Sequence, residues 1–163
     1  MAQIPEWGPH MWAILHVCAE HTGAYTTEIM MMDQIRAFIS LLRHTEDILP
    51  CAMCKNHYRA WRLAHPLEKF LQYRGAPLKE AIRGWLWELH DSVNMRRELP
   101  EELRPTLEAV PPMYESKTSQ DLQEHVTTLS KVLQTAILYR QVDPVSVANW
   151  KRSLGVLRRF IGF

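Results

Sequence analysis

Cysteine is scarce in this chain of 163 residues: there are three, too few for the disulfide framework of a small secreted protein. Neither sign of charge is in excess, since 19 Lys and Arg stand against 18 Asp and Glu for a formal net charge of +1. That balance removes the electrostatic case for nucleic acid or an anionic membrane as partner. No uninterrupted apolar run reaches the ~18 residues of a membrane span. The segment from Met1 to Trp7 contains Glu6 and no Lys or Arg, and His10 and His16 interrupt the apolar stretch behind it, so it does not read as a secretory signal. Synthesis in the cytosol is the resulting expectation. Strand-like alternation, internal repeats and low-complexity tracts are also missing.

What is present suits one domain with a substantial core. Hydrophobic residues make up 47% and charged residues 23%, ordinary values for a globular chain. Six Trp, eight His and eight Met are less ordinary. Rings and thioethers can enclose a flat, polarisable ligand, and they can equally fill a core.

Apolar residues at helical spacing through Met11, Trp12, Leu15 and Ala19 predict a first helix that opens at Pro9 and ends near Gly23. Thr26 or Thr27 can cap a second helix through Ile35, Phe38 and Leu42, which Pro50 closes. A third runs from the Pro50/Cys51 boundary to about His65, and a fourth from Pro77 or Leu78 to about Leu99. Residues 101–118 read as a Pro-rich connector. Beyond it, residues 119–163 form a helical extension packed on the same domain: one stripe through Leu122, Val126, Leu129, Leu133 and Ile137, then a short helix over about Val145 to Ile161. The fold class is all-α, a four-helix bundle in residues 1–100 with additional C-terminal helices.

The tetrapeptide Cys51-Ala52-Met53-Cys54 carries the clearest chemistry. Two intervening residues in a first helical turn let the thiols close a disulfide, and Pro50 puts Cys51 at a helix N-terminus, where unpaired amides favour the thiolate that attacks in disulfide exchange. The motif leaves three readings open: a redox pair, part of a zinc site with His57 as a third ligand, or inert thiols. Trp12 and His16 share one helical face, as do His90 and Asn94, each pair offering a ring and a hydrogen-bonding group. Cys18 reads as a buried small hydrophobe. The remaining histidines, His10, His21, His44, His65 and His125, have ordinary solvated readings.

Three segments together resemble the Erv/ALR family of flavin-linked sulfhydryl oxidases, in order and in spacing. They are Trp7-Gly8 to Trp12 with Leu15-His16; Pro50 to Cys54 with His57-Tyr58; and Trp85-Leu86 with His90-Asp91-Ser92-Val93-Asn94. The resemblance covers about residues 5 to 100. It implies a helical bundle that cradles FAD, with Cys54 as the flavin-proximal sulfur and Cys51 as the interchange thiol that meets substrate. Gly8, Trp12, His16, His57, His90 and Asn94 match family positions that contact FAD, and Tyr58 and Val93 are expected to line the pocket. No metal is expected in this reading, whose alternative is a zinc-stabilised helical interaction module.

The reaction so implied takes two thiols and molecular oxygen to a disulfide and hydrogen peroxide. The expected partner is a thiol-containing protein substrate, such as a thioredoxin-like relay protein, and the expected assembly a homodimer. Two departures from the family pattern stand out. Asp91 replaces the family Asn and sets a carboxylate near a diphosphate site, with Arg96 or Arg97 to compensate; Trp87 stands where many members carry a structural Cys. The missing staple points toward a viral member acting at an assembly site in the host cytoplasm, with the mitochondrial intermembrane space as the alternative compartment.

Overall fold

Proline and side-chain caps set where the helices begin. A computed structural model describes residues 3–24 and 27–163, and among these there is no strand. The helices are α1 (Ile4–Glu20), α2 (Glu28–Ile48), α3 (Ala52–Ala64), α4 (Gly75–Arg96), the single turn α5 (Pro111–Tyr114), α6 (Ser119–Leu138) and α7 (Pro144–Ile161). Thr118 and Asp121 form a capping box on α6, and the Asp143 carboxylate accepts the Ser146 N–H at the start of α7. Cys51 caps α3, its sulfur accepting the Cys54 N–H at 3.2 Å.

Several boundaries differ from the sequence reading for one shared reason. First-turn N–H groups have no intrahelical acceptor, so a proline there loses nothing. Pro5 takes that place in α1, which therefore opens at Ile4, and Pro9 lies inside it. Pro77 likewise sits in the first turn of α4, which opens at Gly75. Thr27 is the residue preceding α2, while Thr26 lies outside the described residues. The last helix, expected to be short, has 18 residues. The connector holds 3-10 turns at Glu101–Leu103 and Leu107–Ala109 besides α5.

The most extensive helix packing joins α2 to α7, followed by α1 to α6 and α1 to α4. Ile35, Phe38, Leu41 and Leu42 of α2 and Trp150, Leu154 and Leu157 of α7 are all buried. At ~25 cal/mol per Å² of apolar surface, side chains of this size stabilise by about 2 kcal/mol each. A polar seam runs within that apolar contact: the Trp150 indole donates to Thr45 Oγ1 at 3.2 Å, and Ser153 Oγ lies 2.6 Å from His44 Nδ1.

Two buried carboxylates fix how the helices sit around the cavity described next. Glu46 on α2 is 4% exposed and binds Arg59 and Arg62 of α3, at 2.5 and 2.8 Å. Glu20 on α1 is 6% exposed and binds Arg83 of α4 at 2.5 Å. Charges this deep persist only when paired, so each pair specifies one helix orientation.

Candidate functional site

One end of the bundle encloses a cavity of about 400 Å³, within the range of small-molecule sites. α1 supplies Trp7, Gly8, Met11, Trp12 and Leu15 to its wall; α2 supplies Thr45; α3 supplies Cys54, His57 and Tyr58; α4 supplies Leu89, His90, Val93, Arg96 and Arg97. Tyr114 closes the wall from α5.

Local packing aims α3 at this space. The Tyr58 hydroxyl, fully enclosed, donates to the Leu42 carbonyl at 2.5 Å, and burial pushes its acidity far out of reach of neutral pH. Trp61 meets Trp85 of α4 edge-on with ring centres 4.7 Å apart, and the Trp85 indole donates to the His65 carbonyl at 3.0 Å. With α3 so held on both sides, its first turn brings Cys54 to the cavity. Cys51 and Cys54 form a disulfide with Cα atoms 5.2 Å apart, and Cys51 stands half-buried outside the cavity wall.

Four rings stand in a row along one side. Trp12 lies flat on His90 at 4.0 Å, His90 Nδ1 meets His16 Nε2 at 3.3 Å, and His16 lies flat on Tyr114 at 4.9 Å. Burial, with help from the neighbouring His90, lowers the His16 pKa to about 3; burial, with help from Arg97, lowers that of His90 to about 4. Both rings are therefore neutral, and one donates the hydrogen bond that the other accepts. His57 is also shifted down by burial and then by Arg96, and its Nε2 lies 3.0 Å from Ser92 Oγ.

Of the residues singled out from sequence, Gly8, Trp12, Cys54, His57, Tyr58, His90 and Val93 share this cavity. His16 stands behind His90, and Asn94 is half-buried off the wall with its carbonyl accepting the Leu99 N–H at 3.0 Å. Asp91 is not on the wall either, because Arg104 binds it at 3.2 Å. Trp150 is fully buried between α7 and α2. The five histidines read as solvated are all half-buried; His10 and His125, for instance, meet at 3.0 Å across the α1–α6 contact. Cys18 is buried, and its thiol is pushed up to about 12. Sequence reasoning missed Tyr114, which follows two prolines in a segment with no periodicity to mark it.

The wall chemistry suits a flat, polarisable ligand that is anionic at one end. It carries two arginines and no Asp or Glu, and apart from Thr45, Cys54 and Met11 the rest of it is aromatic and aliphatic. The Trp7 indole N–H is buried without a hydrogen-bond partner, so this wall residue has a donor left over. Gly8 is not demanded by the fold, since a Cβ there would meet Ile4 at an ordinary 3.5 Å; the bare backbone leaves room for an occupant. A zinc site finds no such support: among the described residues no three His, Cys, Asp or Glu gather as metal ligands.

No curated protein and no solved structure matches this chain. The sequence model of the Erv1 / Alr family matches residues 9–111, which span all the segments named above except the residues before Pro9. An aromatic cavity whose wall includes one sulfur of a C-x-x-C disulfide, on an all-helical frame, accords with that match, and the chain belongs to the Erv1 / Alr family, whose members are FAD-linked thiol oxidases.

Proposed function

We propose that this chain is an FAD-dependent thiol oxidase that forms disulfides in protein substrates, with oxygen as the final acceptor and hydrogen peroxide as product. The single observation that carries the reading is the position of Cys54: it belongs at once to a disulfide and to the wall of the aromatic cavity. FAD, when bound, supplies a two-electron acceptor that oxygen can regenerate. The protein's part is to hold a dithiol against it and to exchange that dithiol with substrate.

Cys51 is the sulfur that a substrate meets, half-buried at the N-cap of α3. A substrate thiolate attacks it, the Cys51–Cys54 bond breaks, and a second substrate thiol resolves the mixed disulfide. Cys54 keeps the electron pair inside the cavity. Trp12, His57, Tyr58, His90 and Val93 would hold the cofactor rings, Gly8 would let backbone approach them, and Arg97, on the same wall, is available to a diphosphate. His16 serves through His90 rather than by contact, and Asn94 through the end of α4.

Colour tests the reading. The purified protein should be yellow, its visible band should bleach with dithiothreitol under nitrogen, and oxygen should restore it. Cys54→Ala should abolish turnover, whereas Cys51→Ala should keep FAD and fail with protein thiols. A colourless protein that does not take up FAD sinks the proposal, and stoichiometric zinc in it would favour the interaction module.

A further inference from the structure

The two sulfurs of the disulfide receive different donors. Cys51 Sγ accepts the backbone N–H of Cys54 at 3.2 Å. Cys54 Sγ instead faces the guanidinium of Arg96, whose Nη2 lies 3.8 Å away at the last turn of α4. Arg96 is anchored there, for its Nη1 donates to the Met53 carbonyl at 3.2 Å. One planar group thus spans the sulfur and the backbone beside it.

The cation is also uncompensated by acid. The titratable groups that share the wall with Cys54 are His57 and Tyr58 from α3, His90, Arg96 and Arg97 from α4, and Tyr114 from α5; α1 and α2 contribute none. Asp91, earlier on α4, is taken by Arg104. His57 and His90 are both shifted toward neutrality by burial, so the positive charge near the sulfur belongs to the arginines.

We propose that Arg96 stabilises the Cys54 thiolate and so makes Cys54 the leaving sulfur whenever a thiol attacks Cys51. This deepens the oxidase reading and rests on it for the direction of electron flow. In the step concerned, a substrate thiolate forms a bond to Cys51 Sγ while the Cys51–Cys54 bond breaks and its electron pair stays on Cys54. The second substrate thiol, losing its proton to solvent, then attacks its partner sulfur and releases Cys51. The substrate dithiol is oxidised by two electrons, and the C-x-x-C is reduced by two. A charge-assisted donor on one sulfur outweighs a neutral N–H on the other, and the sulfur of lower pKa leaves faster. Arg96 is thereby assigned to the sulfur, which leaves Arg97 for a diphosphate.

The test measures acidity rather than turnover. In the whole chain carrying Cys51→Ser, the rate at which iodoacetamide alkylates Cys54 is followed against pH by peptide mass spectrometry; buried Cys18 does not compete. Adding Arg96→Gln should raise the midpoint by about one pH unit or more, and Arg96→Lys should recover part of that shift. Arg96→Met, which keeps the aliphatic stem, gives the same reading if the Gln variant does not fold. Arg97→Gln should move the midpoint less than Arg96→Gln does. An unchanged midpoint in the uncharged Arg96 variants overturns the proposal, and so does an equal shift from Arg97→Gln. The titration is performed on the protein as purified, flavin included, so an Arg96 held by the diphosphate leaves the Cys54 midpoint unshifted when it is replaced. Failure of the oxidase reading would show instead as the absence of flavin from the purified protein.

Discussion

His16, behind the cavity wall, meets His90 of the wall nitrogen to nitrogen, and both are held neutral with pKa values of about 3 and 4. In the unfolded chain each returns to about 6.5, so between pH 6.5 and 3 the unfolded state binds more protons than the folded one. Stability contributed here is fully present above pH 6.5 and is lost as pH falls through that window. The thermal midpoint should therefore drop on acidification from pH 7 to 4.5, and His16→Gln should make the drop shallower. Parallel curves for the two proteins, recorded by circular dichroism, would remove His16 from this role. Tyr114 makes a second case at this scale. Its ring covers His16 and lines the cavity, and aromatic stacking of this kind is worth about 0.5–1.5 kcal/mol. Tyr114→Ala should weaken FAD binding by about threefold to tenfold while Tyr114→Phe keeps it, as read by quenching of flavin fluorescence; equal affinity in all three would refute the assignment. Trp12, His57 and His90 were legible in the sequence because each stands in a segment that resembles the family in order and spacing. Tyr114 had no such frame, and the orientation of Arg96 toward a sulfur depends on how α3 and α4 approach each other, which no local pattern encodes.

Among the elements, the connector shows how a proline-rich stretch is tied down without a covalent link. Trp87 and Asp91 lie four apart on α4, hence on one face. The Trp87 indole donates to the Pro105 carbonyl at 2.9 Å, and Asp91 binds Arg104 at 3.2 Å. In sequence these two residues read as a lost structural cysteine and as a carboxylate misplaced beside a diphosphate. In the fold they grip two adjacent connector residues, Pro105 and Arg104, and the Asp91 charge is answered away from the cavity. Trp87→Phe should cost about 1 kcal/mol in urea unfolding and speed proteolytic cleavage within residues 100–110. Unaltered cleavage would mean that the connector is held by other contacts. The existence of the six long helices among the described residues was legible, because their apolar spacing is strong, whereas the single turn α5 was not. Helix starts were not, since a proline can sit in the first turn, as Pro5 and Pro77 do, or lie further inside the helix, as Pro9 does.

At the scale of the whole molecule, α6 and α7 lie along α1 and α2. Leu122, Leu129 and Leu133 of the one and Trp150, Leu154 and Leu157 of the other bury side chains that would otherwise face solvent. The surfaces they cover are closed to a second copy, so a homodimer of the kind the family resemblance implies would use a different face. A chain ending at residue 116 keeps every residue of the cavity wall and bares those apolar faces. Sedimentation velocity should find it self-associated, and a well-behaved monomer would contradict this account of the extension. The extension was visible in sequence as one apolar stripe and a short last helix, but neither says what it will lie against. The row of rings from Trp12 to Tyr114 has one more consequence, for the order in which the molecule is made. Its first member is near the amino end and its last follows the prolines of the connector, so a growing polypeptide has the other walls of its chamber long before the last is synthesised. On the proposed reading, in which that chamber takes up FAD, full-strength capture would wait for the closing tyrosine, and ligand uptake would report the chain having come full circle.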